Sequence, residues 1–309
     1  MSLTSLTGFR HEVAFYRGMQ DLADQVLPFV REGVQRREPV LVAMLPERLD
    51  VLERALGDDA LRVDFVDMSE LGANPACIIP EWRRFLEDNE GTGQVRGVGE
   101  PVWPGRRQVE LAEAQLHEGL LNLAFDGGPA WRLLCPYDLT ALPVEVVEEA
   151  RRSHPVVHPE TVRATTYAGD HHAVQIFSSP LTPHPEDATV VAFGPGDLAV
   201  MRKVVRRVCE AGRLGGDTAD DLVLAAHELV ANSVRHGGGA GVLRIWDEPG
   251  ALVVEVQDTG RIDDPLVGRG LVDLAEEAGR GIWMANQLCD LVQVRSGEFG
   301  TQVRLYSWL

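Results

Sequence analysis

The run AAHELVANSVRHGG, residues 225–238, places Glu228, Asn232 and His236 at i, i+4 and i+8. On a helix those three side chains form a stripe along one face. An amide oxygen suits Mg²⁺, a hard cation that takes oxygen ligands. A carboxylate beside a hydroxyl can take its proton. The stripe reads either as one wall of a site for phosphoryl chemistry or as a solvated polar face, and taken alone the two readings are evenly matched. His227, in the same run, raises a further chemistry, that of a phospho-accepting histidine. HExxH zinc chemistry is excluded, because Ala231 stands where the second His would be.

The downstream sequence shifts that balance. In ALVVEVQDTG, residues 251–260, Leu252, Val254, Val256 and Asp258 share one parity. A strand sends alternate side chains to one face, so Asp258 points with the apolar set toward the core. A carboxylate there needs a donor, and the exocyclic amine of an adenine would serve, with Gly260 leaving room for a flat base. The bland alternative is a turn Asp before Gly. In AGRGIWMAN, Gly279, Arg280 and Gly281 precede a helix with apolar residues at 282, 284, 285 and 288. Glycines at a helix N-terminus expose N–H groups to a phosphate, which the helix dipole favours. A similar GRG at 268–270 is a decoy; a long helix and a closing hairpin follow the second run. Thr301 has the parity of Val303 and Leu305 and points to the same core as Asp258.

The chain that must position these residues has 309 of them, 45% hydrophobic and 25% charged, which suits about two globular domains. Its net charge of -18, from 47 acids against 29 bases, argues against nucleic acid or an anionic membrane surface as the main partner. Cys77, Cys135, Cys209 and Cys289 form no CxxC pair, and a reducing, cytoplasmic compartment is the simplest reading. The N-terminus carries no basic n-region followed by an apolar run. No stretch approaches the ~20 apolar residues of a membrane helix.

The first half alternates strand and helix patterns. Helices are expected over 18–37, 46–56, the IIPEWRRFLEDN run, 105–125 and the PVEVVEEARRSH run, with strands at 39–45, in LRVDFVDM, in QVRGVGEPVW and at 131–138. That alternation predicts a parallel sheet covered on both faces. Residues 169–188, with three prolines at 180–185, read as an interdomain linker with room for one short strand. The second half opens on a strand at ATVVAF. Helices follow over 197–212 and 217–236, then two strands around a turn at Glu248-Pro249-Gly250, a helix opened by glycines and a closing hairpin. Helices against an antiparallel sheet predict an α+β sandwich.

In this order, E-x3-N-x3-H, D-x-G, G-R-G before a helix and a Gly-Thr hairpin resemble the GHKL (Bergerat-fold) ATPases, nearest to the serine kinases that act as anti-sigma factors. The resemblance covers 189–309 and implies a two-layer α+β sandwich that binds ATP and Mg²⁺. It implies that Asn232 holds Mg²⁺ on the phosphates and that Glu228 is the general base for an acceptor hydroxyl. Asp258 would bind the adenine amine, helped by Gly260 and Thr301. Gly279, Arg280 and Gly281 would flank the triphosphate, with His236 on the phosphate side. Where many relatives carry another glycine after D-x-G, this chain reads DTGRIDDP, and about 261–278 is the expected lid. His227 lacks the Thr-Pro that follows a phospho-accepting His and sits inside the ATP-site helix, so it is read as structural.

Residues 8–168, through RHEVAFY, PVLVAML, RGVGEPVW, ELAEAQLHEGLLNLAF and LLCPYD, resemble the MEDS sensory domain, a module related to RecA-like ATPases. The resemblance implies an α/β domain with a RecA-like parallel sheet. No G-x4-G-K-[ST] loop occurs in the chain, so a ligand sensor or docking scaffold is expected there, with an unknown small-molecule signal. Its candidate sensor residues are His11, Glu100, Trp103, Glu110, His117, Glu118, Cys135 and Asp138. His117-Glu118 and Cys135 raise a metal reading; the commoner arrangement is a helix-surface His-Glu pair and a strand Cys packed as a small hydrophobe. His154, His158, His171 and His172 are read as loop residues. Together the resemblances imply a bacterial signalling protein that phosphorylates a STAS anti-anti-sigma partner and so controls a sigma factor. Relatives of the kinase domain often form homodimers. The alternatives are a non-catalytic ATP-binding or vestigial-ATPase scaffold and a histidine kinase.

Overall fold

A computed structural model of the protein describes residues 8–159, 164–169, 171–211, 214–270 and 280–309. The chain divides into two compact units, Met1–His172 and Ala173–Leu309.

In the first unit, strands β1 (Phe9–Tyr16), β2 (Val40–Met44), β3 (Asp64–Asp67), β4 (Val95–Gly99), β5 (Trp131–Asp138) and β6 (Val156–Val157) form a six-stranded parallel sheet in the order β3-β2-β4-β5-β1-β6. Between them run α1 (Gly18–Arg36), α2 (Pro46–Leu56), α3 (Met68–Leu71), α4 (Ile78–Asp88), α5 (Gln108–Ala124) and α6 (Val144–Ser153). Strands covered on both faces read as unbroken apolar runs, and β2 is buried at every position. On one face Leu22, Val26, Phe29 and Val30 of α1 pack on Ala14, Val42, Val98 and Leu134. The opposite parity of β1 and β5 carries His11 and Val13, and Leu133, Cys135 and Tyr137, toward α5 and α6. The strand β1, which the hydrophobic pattern alone does not single out, thus supplies one polar residue to the α5 face. Only Arg17 separates β1 from α1, so no phosphate-cradling loop lies at that junction.

α7 (His171–Phe177) occupies the stretch expected to hold a short strand. Ala173 and Phe177, one helical turn apart, are its buried apolar positions, and Phe177 joins the core of the second unit. That unit contains β7 (Thr189–Phe193), α8 (Leu198–Ala211), α9 (Gly216–His236), β8 (Gly241–Glu248), β9 (Ala251–Asp258), α10 (Arg280–Leu288), β10 (Leu291–Gly297) and β11 (Gly300–Trp308). Its five-stranded antiparallel sheet runs β10-β11-β9-β8-β7. The three helices bury Met201, Val205, Leu222, Leu229 and Ile282 on one sheet face against Leu243, Val254 and Val256. On the opposite face Arg304 forks onto Glu255 at 2.6 and 3.1 Å and donates to the Thr182 carbonyl at 2.8 Å, which pins the proline-rich segment to β11. Among the described residues no helix is long and apolar enough to cross a membrane.

Candidate functional site

The parity read from ALVVEVQD places Asp258 on the helix-covered face at the end of β9, opposite Thr301 of β11 and Gly241 of β8. Its carboxylate accepts the Ser233 hydroxyl at 2.5 Å and the Gly260 N–H at 2.8 Å. Two donors leave further lone pairs of the carboxylate for a ligand. Backbone packs tightly around it: a Cβ at Gly237 would enter the carboxylate itself, and one at Gly260 would lie 2.6 Å from the Gly237 Cα. A relay of hydroxyls fixes the turn that follows. The Ile262 N–H donates to Ser296 Oγ at 2.8 Å, Ser296 and Thr301 share a hydrogen bond at 3.0 Å, and Thr301 Oγ1 donates to the Gly260 carbonyl at 2.9 Å.

These groups wall a small pocket of about 80 Å³ whose polar lining includes Asn232, Ser233, His236, Asp258 and Thr301. Leu229, Val256, Ile262 and Val303 supply apolar walls suited to a base. Asn232 and His236 therefore share the pocket with Asp258, Gly260 and Thr301. Glu228 lies one turn before Asn232 on α9, half-buried, and is not among the residues that line the pocket. Gly281 brings the α10 backbone against the Asn232 side chain, where a Cβ would strike the amide. Arg280 opens α10 and is half-buried, whereas Gly279 and the lid beyond 270 lie outside the described residues. The GRG at 268–270 also meets α10: Asn286 Nδ2 donates to the Gly268 carbonyl at 3.0 Å. His227 is half-buried with Nδ1 unpartnered; burial and then Arg202 lower its pKa, against the pull of Glu228.

In the first unit His11, Glu118, Cys135 and His154 meet in the interior, with ligand atoms within 4.8 Å of one another. His11 Nε2 is 3.0 Å from Glu118 Oε2 and 3.4 Å from Cys135 Sγ, and Tyr137 donates to Glu118 Oε1 at 3.0 Å. Burial and then His154 push the His11 pKa down to about 4, so its imidazole is neutral at pH 7. Burial opposes the charge on Glu118, but His154 and His11 together hold its carboxyl well below the usual range. Burial and then Glu118 push the Cys135 thiol up.

Comparison with known families assigns both halves. The family described as MEDS, MEthanogen/methylotroph, DcmR Sensory domain, matches residues 10–155, and that of the histidine kinase-like ATPase domain matches residues 191–307. The chain carries a MEDS domain followed by a histidine kinase-like ATPase domain. No curated protein matches it. The crystal structure of the RsbU and RsbW domains of Rv1364c from Mycobacterium tuberculosis is similar at 21% identity with a TM-score of 0.30, over 40% of this chain. The match spans 33% of that protein's chain.

The remaining sensor candidates of the MEDS domain scatter. Glu100 is buried against Arg48 and accepts the Tyr16 hydroxyl at 3.4 Å. Glu110 closes a capping box with Arg107 at the start of α5, Trp103 stacks under Arg106, and Asp138 accepts the Thr140 N–H in a turn. His117 and Glu118 correct the expectation of a helix-surface pair, since both are buried. His154 corrects its reading as a loop residue: it is wholly buried at the C-terminal end of α6. His158 pairs with buried Glu12 at 3.2 Å, and His172, in α7, pairs with Glu149 at 2.5 Å. In the ATPase domain the sequence reading missed Ser233 and Gly237. The signal was present, because both continue the buried α9 stripe through Leu222, Ala226 and Leu229, where a polar or absent side chain needs a reason.

Proposed function

We propose that the ATPase domain binds MgATP and transfers its γ-phosphate to a Ser or Thr of a STAS anti-anti-sigma partner, under control of the MEDS domain, and so governs release of a sigma factor. The observation that carries the nucleotide reading is Asp258, a carboxylate held by Ser233 and Gly260 at the floor of a pocket with apolar walls and main-chain sides. Gly237 and Gly260 let the backbone close around that carboxylate, and the amide and imidazole of Asn232 and His236 stand on the pocket's α9 wall. ATP supplies the phosphoryl group, with Mg²⁺ neutralising its charge. Asn232 offers the oxygen ligand for the ion, and Glu228, one turn away on α9, is the residue that would receive the acceptor proton. The anti-sigma assignment and the STAS partner rest on the ordered motifs of residues 228–301. The acidity of the chain, -18 overall, favours protein partners with basic surfaces.

The test is incubation of the full chain with γ-labelled MgATP and a STAS-class protein. Acid-stable label on the partner, reduced 10²-fold or more in Glu228→Gln with MgATP affinity retained, supports a serine/threonine kinase. Binding without transfer assigns the non-catalytic role that the position of Glu228 outside the pocket lining favours. Acid-labile label on the chain itself would overturn both readings.

A further inference from the structure

Four metal-ligating side chains from four elements converge in the MEDS domain: His11 of β1, Glu118 of α5, Cys135 of β5 and His154 at the end of α6. None exposes more than 1% of its surface. Neighbours outside the cluster fix how its imidazoles are turned. Asn122 Nδ2 donates to the Ser153 carbonyl at 2.8 Å, so its Oδ1 faces His11 Nδ1 at 3.2 Å and that nitrogen carries the hydrogen. His154 Nδ1 is 2.7 Å from the Ala150 carbonyl, which only accepts, so it too carries the hydrogen. With each Nδ1 turned to a partner outside the cluster, both Nε2 atoms face the Glu118 carboxylate, at 3.0 and 3.3 Å. A cation placed among these atoms would be held by all of them at once, with Cys135 Sγ as the fourth ligand.

Three of the six spacings match a small tetrahedral cation, and all four ligand atoms lie within 4.8 Å of one another. Around a tetrahedral zinc with bonds of about 2.05 Å to N or O and 2.3 Å to S, ligand atoms lie about 3.3 Å apart for N and O and about 3.5 Å apart for N and S. The cluster has 3.0 and 3.3 Å for N to O and 3.4 Å for N to S. Thiolate with imidazole selects zinc over the oxygen-seeking ions. We propose that His11 Nε2, His154 Nε2, Cys135 Sγ and Glu118 Oε2 form a closed tetrahedral site for a divalent ion of the zinc class. Binding forms the metal–sulfur bond as the Cys135 S–H breaks, and its proton goes to solvent. Thiolate, carboxylate and dication then sum to zero charge in the interior. Tyr137, donating to Glu118 Oε1, and Asn122, holding His11, are the positioning residues around the ligands. Four protein ligands close the coordination sphere, so the ion clips β1, β5, α5 and α6 together. Occupancy would make the domain's fold responsive to the supply of that ion. The alternative is a proton held between His154 Nε2 and Glu118 Oε2 across 3.3 Å, which needs no metal.

The experiment strips the reduced full-length chain with a chelator and titrates it with Co²⁺, then Zn²⁺. The expected result is one equivalent bound, a thiolate-to-cobalt charge-transfer absorption, intense tetrahedral ligand-field bands, and loss of both on adding Zn²⁺. Cys135→Ser should abolish the charge-transfer absorption while Cys209→Ser and Cys289→Ser leave it unchanged. Asn122→Ala should weaken affinity 10–100-fold, the range for residues that orient a metal-binding histidine. A folded wild-type chain that binds less than a tenth of an equivalent overturns the proposal and leaves the shared proton, as does a charge-transfer band that survives Cys135→Ser. Where Cys135→Ser does not fold, the wild-type cobalt spectrum decides by showing a single thiolate ligand or none.

Discussion

Replacing Asp258 by Asn separates holding the fold from holding a nucleotide. The two present hydrogen bonds survive the change. Oδ1 continues to accept the Gly260 N–H, and the new amide donates to Ser233 Oγ, whose hydroxyl rotates from donor to acceptor. Stability of the unliganded domain should therefore change by about 1 kcal/mol or less. What disappears is the charge and the second oxygen offered to an exocyclic amine. A hydrogen bond to a charged acceptor contributes about 1.5–3 kcal/mol, so the Kd for MgATP should rise roughly 10- to 150-fold. Calorimetry at fixed salt on the full chain measures the affinity, and a melting curve without nucleotide measures the fold. An unchanged Kd refutes the assignment of Asp258 to the base. A collapsed melting temperature with no ligand present makes Asp258 a structural carboxylate instead.

Gly281→Ala should leave the helix intact, since Ala is a better helix former than Gly. Its methyl group displaces the Asn232 amide, so Mg²⁺ should lose at least tenfold of its effect on ATP affinity, which a metal titration at fixed ATP reads. Arg304→Met strands one side of Glu255 in the sheet; because Arg244 still reaches that carboxylate at 2.9 Å, the loss should sit near the low end for a broken buried pair, about 3 kcal/mol by urea unfolding.

The fold was legible wherever period alone decides it. The run PVLVAM could only be a strand buried on both faces, and the parity of Leu252 to Asp258 gave the carboxylate its direction before any coordinates. Legibility failed where the partner is distant in sequence. Ser233 and Asp258 are separated by a hairpin strand, so the buried α9 stripe marks Ser233 as a polar residue in need of a partner without saying which residue that partner is. His154 looked like a loop residue because it follows the last turn of α6, and its burial arises from α5 and β1, more than 30 residues away in the chain. HHAVQIF was masked by the prolines after it, although Ala173 and Phe177 carry the helical spacing. Glu110 and Asp138 looked available for chemistry and serve instead to close a cap and a turn.

The walls beside Asp258 are main chain at Gly237 and Gly260, which limits how the pocket can be redesigned. A pocket walled by side chains can be widened by trimming them, and here there is nothing at those positions to trim. Extra room for a swollen purine would have to come from Leu229, Ile262 or Val303, each of which also packs in the core or against it. An orthogonal version of this domain would be obtained at the expense of its folding stability, so a search for such a variant should begin from a stabilised background.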